Sequence, residues 1–283
     1  MFLASDDTNG TELWSSDGTE AGTVLVQDIF AGTNTSGFPN SSNPDGFNVF
    51  AGVAYFSAYD GINGRELWRS DGTSAGTSLL ADIGQAGGNS SPRSMITVAG
   101  IRYFIASDGA SVSNGLWRSD GTAAGTSLVK NIRVDFELVA VGSTIYFRAS
   151  DDTNGSELWK SDGTEAGTVL VKDIFAGTDT FGNPNSSFPS GFTDLGGTLF
   201  FQARDDTNGT ELWKSDGTTI GTERVRDIHP GSFASNPSGF LSFAGDVYFT
   251  ATDGTGYRPW KTDGTEAGTM QFLPGWPGAA PTV

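Results

Sequence analysis

Carboxylate side chains recur at two places in a sequence that is repeated six times. One aspartate follows a short strand-like run in all six copies, at Asp6, Asp60, Asp108, Asp151, Asp205 and Asp253. Another ends a later apolar run in four copies, at Asp28, Asp82, Asp173 and Asp227. Three copies add a further Asp and an Asn within Asp-Asp-Thr-Asn-Gly. Carboxylate and amide oxygens are the hard ligands that Ca²⁺ prefers.

The candidate calcium ligands are therefore Asp6, Asp7, Asn9, Asp28, Asp60, Asp82, Asp151, Asp152, Asn154, Asp173, Asp205, Asp206, Asn208 and Asp227. Their spacing is not that of an EF-hand, and Asp-x-x-Asn-Gly is also an ordinary turn sequence. A strand-end aspartate can instead cap backbone donors or pair with Arg65, Lys160 or Lys214. The sequence leaves both interpretations open, and it predicts poor binding where Asn131 and Pro274 replace the last Asp.

Short β-strands must position these residues. Each copy of the repeat contains four runs rich in aromatic and β-branched residues, bounded by Gly, Asn, Asp and Ser, which is the strand signal. In the second copy they cover 47–50, 54–58, 65–69 and 78–82. No stretch shows the 3.6-residue apolar period of a helix. A fixed block that returns throughout a chain indicates a repeat architecture.

Six copies of four strands predict an all-β fold, a six-bladed β-propeller of four-stranded antiparallel blades forming one domain over 1–283. Trp14, Trp68 and Trp117 recur as Trp159, Trp213 and Trp260 at a near-constant offset, which indicates a pseudo-two-fold ring of three plus three blades. The first repeat lacks its innermost strand, so we expect the C-terminal tail to supply it and close the ring. The predicted blades cover 277–283 with 1–30, then 44–83, 92–132, 135–174, 189–228 and 237–273.

The block Glu-Leu-Trp-x-x-Asp-Gly-Thr-x-x-Gly-Thr resembles the bacterial ELWxxDGT repeat of large secreted or surface proteins, sometimes labelled hyalin-like. The resemblance covers virtually the whole chain, with four repeats matching well and two partly. It implies an extracellular or cell-surface, propeller-like module. It carries no common activity, ligand or site residue over to this chain.

Long connectors between the repeats are rich in Asn, Ser, Gly and Phe. Phe38, Phe181 and Phe233 stand among these polar residues. Adaptable polar groups with isolated aromatics suit the binding of a glycan or a protein surface. Solvated loops without a ligand are the alternative.

Composition excludes several functional classes. The formal net charge is −17, from 33 acidic and 16 basic side chains, which repels nucleic-acid backbones. There is no cysteine, so a disulfide framework and a thiolate site are excluded. No apolar run is long enough to span a membrane. The single histidine, His229, lies where sister repeats have Phe30 and Phe175, which argues against a His-based catalytic triad.

These observations predict a non-enzymatic extracellular binding or adhesion module, assisted by calcium, whose acidic loop-rich face binds a glycan or a protein surface. Two alternatives remain, a structural subunit or spacer of a surface fibre or sheath, and a carboxylate-dependent glycan hydrolase or lyase at the central pore. We also expect self-association or fusion to further domains. Met1 leads directly into a mid-repeat strand, which predicts that the chain is a segment of a longer precursor.

Overall fold

A computed structural model describes residues 1–85, 87–111 and 113–272 of the chain. In these residues 23 strands form six antiparallel sheets, one with three strands and five with four, and there is no α-helix. The prediction of an all-β chain is confirmed. No helix in this part of the chain is long and apolar enough to cross a membrane. The strand expected from residues 277–283 lies outside the described residues.

The chain divides into two compact units. The first comprises residues 1–138 and 163–168. It contains the first three sheets, whose strand orders are β1-β2-β3, β4-β5-β6-β7 and β8-β9-β10-β11. Their strands are β1 (Phe2–Asp6), β2 (Gly10–Ser15), β3 (Val24–Gln27), β4 (Asp45–Phe50), β5 (Val53–Tyr59), β6 (Arg65–Ser70), β7 (Ser78–Ala81), β8 (Arg93–Val98), β9 (Ile101–Ala106), β10 (Gly115–Ser119) and β11 (Ser127–Lys130).

The second unit comprises residues 139–162 and 169–283. Strand β12 (Arg133–Val141) has residues of both units, and it begins the fourth sheet, β12-β13-β14-β15. The fifth and sixth sheets have the orders β16-β17-β18-β19 and β20-β21-β22-β23. The strands are β13 (Thr144–Asp151), β14 (Gly155–Ser161), β15 (Val169–Lys172), β16 (Ser190–Leu195), β17 (Thr198–Arg204), β18 (Thr210–Ser215), β19 (Glu223–Arg226), β20 (Ser238–Phe243), β21 (Asp246–Thr252), β22 (Tyr257–Thr262) and β23 (Met270–Gln271).

The same register repeats in every sheet. The Trp of the third strand lies opposite a Phe of the second strand, as in the pair Trp68 and Phe56. Five of the six sheets have a bulge just before that Trp, between the third and fourth strands, as at Leu67/Trp68. A bulge increases the local twist and bends the strand. The repeated block therefore specifies one sheet geometry.

Neighbouring sheets bury their faces against one another within each unit. In the first unit, Leu13 and Val26 of the first sheet form a cluster with Phe56 and Trp68 of the second. In the second unit, Phe200 and Leu212 of the fifth sheet pack with Phe249 of the sixth. Second strands such as β5 are buried almost throughout, because a sheet with a neighbour on each face needs apolar residues at successive positions.

The Ser-Asp-Gly-Thr turns are held by their own side chains. Asp17 Oδ1 accepts hydrogen bonds from the Thr19 amide at 2.9 Å and from Thr19 Oγ1 at 2.7 Å, and Thr19 Oγ1 accepts one from the Gly22 amide at 2.9 Å. A Cβ added at Gly22 would lie 2.0 Å from Asp17 Oδ1. The carboxylate thus occupies the space beside that glycine and holds the turn in place.

The first sheet has only three strands, as the sequence predicts. Strand β1 pairs with β2 through Phe2 and Trp14, and no described strand pairs with its other edge. In the second sheet the corresponding edge of β5 is covered by β4. One strand edge of the first unit therefore has unpaired backbone groups within the described chain.

Candidate functional site

The aspartates that follow the second strands close Asx-type turns. Asp6 Oδ1 accepts hydrogen bonds from the amides of Thr8 at 2.8 Å and Asn9 at 2.5 Å, and Asp6 Oδ2 accepts one from Asn9 Nδ2 at 2.8 Å. Asp60 and Asp151 have the same arrangement with Asn63 and Asn154. The bond from the Asn9 amide is the largest of the causes that hold the pKa of Asp6 below its usual value. These donors satisfy the carboxylates without a metal.

The aspartates that follow the fourth strands are placed differently. Asp28, Asp173 and Asp227 each have a buried Oδ1 atom with no hydrogen-bond partner. Burial raises the pKa of Asp28, and the charge of Asp6 adds to the effect. Burial and the Asp151 charge do the same to the pKa of Asp173. A buried acceptor without a donor is a place where a water or a cation would lower the free energy. The equivalent Asp82 is exposed.

At these strand ends the described chain brings carboxylates together in pairs, but it does not bring three of them to one point. The additional residues Asp7, Asp152 and Asp206 are exposed. In the fifth sheet the Asn208 amide still donates to Asp205 Oδ1 at 2.6 Å, but its side chain donates from Nδ2 to Asp227 Oδ2 at 2.9 Å. Arg224 lies 3.8 Å from the same Asp227 oxygen. Within residues 1–85, 87–111 and 113–272 no group of three or more His, Cys, Asp or Glu is arranged to hold a metal. Calcium binding stays a prediction from the sequence.

The three connector phenylalanines are exposed, with exposed fractions of 67% for Phe38, 88% for Phe181 and 63% for Phe233. Phe38 and Phe181 lie in loops closed by the backbone pairs Thr33–Pro39 and Thr178–Pro184. They occupy different positions in these loops, since residue 38 corresponds to Asn183. Phe233 stacks on the His229 ring with centroids 5.0 Å apart. The three rings do not form a repeated binding position, and ligand binding by them stays a prediction.

Four buried glutamates were missed as sites by the sequence reasoning. Glu12, Glu66, Glu157 and Glu211, from the Glu-Leu-Trp block, have no exposed surface. Glu157 Oε2 accepts a hydrogen bond from the Ile174 amide at 3.0 Å, and Oε1 accepts one from the Ser187 amide at 2.7 Å. Ser187 Oγ also donates to Oε2. Each carboxyl thus fixes both ends of the connector to the next sheet.

Burial is the main cause of the raised pKa values of these glutamates. It raises the pKa of Glu157 to about 7, against the lowering effect of its hydrogen bonds from Ser187 and Ile174. Burial also raises the pKa values of Glu12, Glu66 and Glu211. A raised pKa can mark a catalytic acid. These side chains are inaccessible and fully bonded, so they act on the structure.

A groove of about 370 Å³ in the first unit is lined by two arginines and by Leu3 of the three-stranded sheet. Its lining residues are Leu3, Asn43, Pro44, Asp45, Ser57, Arg65, Ser91, Pro92 and Arg93. Arg65 donates to the carbonyls of Asn43 and Ser42, and Arg93 donates to Asn114 Oδ1 at 2.8 Å. Neither arginine forms an ion pair within the described chain. We call this space the edge groove.

Comparison with known proteins identifies the fold. No family model and no curated protein matches the chain. Prolyl oligopeptidase B from Galerina marginata, bound to a 35mer hydrolysis and macrocyclization substrate, matches with a TM-score of 0.51 at 12% identity, over 82% of this chain and 36% of that one. Its apo protein matches with a TM-score of 0.50 at 11% identity, over 82% and 37%. Puromycin hydrolase gives 0.48 at 12% identity, over 96% and 46%.

The likeness to prolyl oligopeptidase B shows an all-β fold similar to β-propeller domains. The chain spans less than half of the length of each of these structures. The proteins that share the fold are peptidases, and this finding overturns the prediction of a non-enzymatic binding or adhesion module. The fibre and glycan-hydrolase alternatives are set aside with it. The likeness also gives no support to the prediction of a non-enzyme.

Proposed function

We propose that this chain is a β-propeller domain of the peptidase type, which binds extended polypeptide for a catalytic domain. The observation that carries the proposal is the shared fold with prolyl oligopeptidase B over 82% of the chain, in a protein whose structure holds a 35mer substrate. In this proposal the six sheets form the six blades of one ring, and the three-stranded sheet is the first blade.

The chemistry of the chain supports a domain that binds the substrate without cleaving it. The sequence has no cysteine and a single histidine. The described contacts of His229 are a ring stack on Phe233 and a separation of 3.4 Å between Nδ1 and the Ala234 carbonyl. A serine or cysteine nucleophile needs a base within hydrogen-bond reach. The proposal therefore places peptide-bond cleavage on a different domain.

The test uses a fluorescein-labelled, proline-containing peptide of the same length as the 35mer, with a soluble glycan as the alternative ligand. We expect fluorescence anisotropy to rise with the peptide and the peptide to remain uncleaved in the presence of the chain. A folded globular protein carrying the same label is the control for non-specific contact. Binding of the glycan alone, or of neither ligand, would overturn the proposal. Cleavage by the chain itself would overturn its assignment as the non-catalytic domain.

Several predictions from the sequence remain proposals beside this one. These are the extracellular or cell-surface location, the resemblance to ELWxxDGT-repeat proteins, calcium as a bound ion, and protein surfaces as partners. They are supported by the repeated block and by the aspartates that follow strands, such as Asp6 and Asp28. Closure of the ring by residues 277–283 is likewise proposed from the sequence.

A further inference from the structure

A pocket of about 370 Å³ lies in the second unit, beside the Asp-Gly-Thr turns of the fifth and sixth sheets. Its lining residues are Leu195, Thr198, Phe200, Lys214, Asp216, Gly221, Glu223, Asp263, Gly264 and Thr265. We call this space the turn pocket. Among these residues three carry a carboxylate and one carries an ammonium group, so the pocket has a negative charge.

The junction of the fourth and fifth sheets is built in the same way. Lys160 Nζ donates to the Gly217 carbonyl at 2.9 Å, as Lys214 Nζ does to the Gly264 carbonyl at 2.9 Å. Tyr146 reaches the turn, because a Cβ added at Gly217 would lie 2.4 Å from its hydroxyl oxygen. A tyrosine hydroxyl has the same place at two earlier junctions, in the pairs Tyr55 with Gly121 and Tyr103 with Gly163.

Two residues of the turn pocket break this pattern. Phe200 replaces the tyrosine, and its ring reaches toward Gly264 without a hydroxyl. Glu223 stands where the fourth repeat has Val169, each opposite the lysine of the third strand. The fourth sheet has the same register with Tyr146 and Val169, so the fold needs neither change. Two exceptions to a repeat that line one space indicate a site rather than scaffold.

The two aspartates of the turn pocket are stabilised in their charged form. The hydrogen bond from the Thr218 amide is the largest of the causes that hold the pKa of Asp216 below its usual value. The hydrogen bond from the Thr265 hydroxyl does the same to the pKa of Asp263. Both aspartates therefore stay ionised at neutral pH.

An arginine side chain fits this combination of charge and shape. Lys214 is already engaged, since its Nζ lies 3.1 Å from Glu223 Oε1 and also bonds the Gly264 carbonyl. In the described chain the pocket carboxylates do not form the close group of three that holds a metal ion. A guanidinium is planar and directs five N–H donors at separated acceptors. Leu195 and Phe200 provide apolar surface for its methylene groups.

We propose that the turn pocket binds an arginine side chain of an extended polypeptide. Glu223 and the two turn aspartates attract the guanidinium, and the ring of Phe200 leaves the room that a tyrosine hydroxyl takes at the other junctions. This inference rests on the proposed function and adds to it a preference for polypeptides that contain arginine.

The C-terminal residues of the chain do not supply this group. Residues 273–283 contain no lysine or arginine. The described chain also ends away from the turn pocket, since β23 leads away from the Asp263 turn and the Phe272 amide donates to the Pro259 carbonyl at 2.8 Å. We therefore assign the pocket to a substrate polypeptide.

The test uses the fluorescein-labelled, proline-containing peptide in two forms, which have arginine or citrulline at one central position. Citrulline has the length of arginine without its charge. At about 0.15 M salt, which screens distant charges, we expect the full chain to bind the arginine form about tenfold more tightly. Equal binding of the two forms would overturn the site and leave the proposed function standing. Binding of neither form would overturn both.

Two variants assign the preference to the turn pocket. Glu223→Gln removes one carboxylate, and Phe200→Tyr adds the hydroxyl that Tyr146 has at the matched junction. Each should bring the ratio of the two affinities close to one, and the melting temperatures of the variants check that they fold. Glu165→Gln removes an exposed carboxylate from the turn of the fourth sheet and should keep the ratio. A ratio that Glu165→Gln lowers as much as Glu223→Gln would show an effect of net charge and overturn the proposal.

The matched junction offers a gain of binding that a loss of folding cannot produce. The double change Tyr146→Phe and Val169→Glu gives this junction both exceptional residues of the turn pocket. In amide NMR spectra, arginine amide should shift the signals of Gly264 and Thr265 in the parent, and that of Gly217 as well in the double variant. Citrulline amide should shift none of them. An unaltered Gly217 signal in the double variant would overturn the assignment to these two residues.

A second copy of the chain is the other source of arginine. Sedimentation of a dimer that arginine amide dissociates would assign the pocket to self-association and overturn the proposal. Deletion of residues 273–283 should leave the arginine preference unchanged, and a preference that needs this deletion would overturn the proposal as well. A monomer that keeps the preference at full length supports it.

Discussion

At the residue scale, the buried glutamates have the clearest energetic role. In Glu157 two carboxylate oxygens accept three hydrogen bonds from residues on both sides of one connector. A buried donor left without its acceptor costs about 1–3 kcal/mol. The gain from the bonds is opposed by the cost of burying a charge, which the raised pKa records.

Replacement of this glutamate should change both stability and its pH dependence. Glu157→Gln substitutes an NH₂ group for one acceptor oxygen, so one backbone N–H loses its partner, and we expect a loss of about 1–3 kcal/mol in the free energy of unfolding. Urea unfolding followed by tryptophan fluorescence measures it. Glu165→Gln, at an exposed position of the same repeat, is the control and should be neutral. Equal effects of the two substitutions would contradict a role specific to the buried carboxyl.

The sign of the pH effect follows from the raised pKa. Between the usual value of 4.5 and about 7, the folded chain binds more protons at Glu157 than the unfolded chain. The free energy of unfolding therefore falls as the pH rises through this window, and the contribution is complete below 4.5. The turn aspartates such as Asp17 have lowered pKa values, so their contribution is lost only as the pH falls below 3.8. Urea unfolding of Glu157→Gln across the window should show a shallower slope than the parent.

Gly221 is a second residue whose substitution has a defined steric effect. A Cβ there would lie 2.2 Å from Asp216 Oδ1 and Cγ, and the Asp216 carboxylate holds Thr218. Gly221→Ala should cost about 1–3 kcal/mol because the carboxylate must move. The double variant with Asp216→Ala should cost less than the sum of the two single changes, since the clash is absent. Additive costs, measured by denaturant unfolding, would contradict this cause.

At the scale of elements, β1 differs from the other second strands because one of its edges is free in the described chain. The amides of Leu3 and Ser5 should exchange hydrogen faster than those of Ser57 and Tyr59, whose edge is covered by β4 and its preceding segment. Hydrogen exchange followed by NMR measures the difference. Equal protection of the two strands would show that another segment covers β1.

The prediction of calcium binding also concerns the scale of elements, because the predicted ligands come from the ends of two strands. If Asp28 and Asp173 hold the ion at their unpartnered oxygens, chelator should lower the melting temperature of the parent chain. In the double variant Asp28→Asn and Asp173→Asn, chelator should have less effect. A parent melting curve that chelator leaves unchanged would remove calcium from the account of this fold.

The sequence correctly predicts the features that depend on residues close to one another in the chain. The Asx turns of Asp6 and Asp60 and the Ser-Asp-Gly-Thr turns follow from residues within a few positions of each other. The missing strand of the first sheet follows from counting repeats. The Glu157 contacts join residues 17 and 30 positions apart, which no local pattern in the sequence indicates. A usable signal was present, because Gly115 and Pro259 replace the Glu in the two irregular repeats.

At the scale of the whole molecule, function is what the sequence did not predict. The repeated carboxylates favoured a binding module, whereas the fold is similar to that of prolyl oligopeptidase B, and nothing in the motif spacing indicates that similarity. Fold likeness at 12% identity is visible only when strand order and register are compared over the chain. The orphaned oxygen of Asp28 and the exposed face of Phe2 also needed coordinates, because both depend on what other segments cover.

The net charge of −17 gives a prediction at this scale. Self-repulsion destabilises a compact state, and salt screens it over about 10 Å at 0.1 M. The melting temperature should therefore rise as sodium chloride is added from low concentration to about 0.15 M. A calorimetric scan measures it. A fall would mean that attractive pairs such as Lys261 and Asp246 outweigh the repulsion.

The glutamate contacts also set how the chain would respond to force. Each of these carboxyls ties a connector to the sheet before it, as Glu12 does for Ile29 and Ser42. The third repeat has Gly115 in that place, so no glutamate holds the segment at 131–138, which contains the start of β12 and is linked to the preceding repeat by the bond from the Val134 amide to the Asn114 carbonyl. When the two ends are pulled apart in an optical trap, extension should begin in that segment. The four connectors that are bonded by a buried glutamate should then extend later and at higher force.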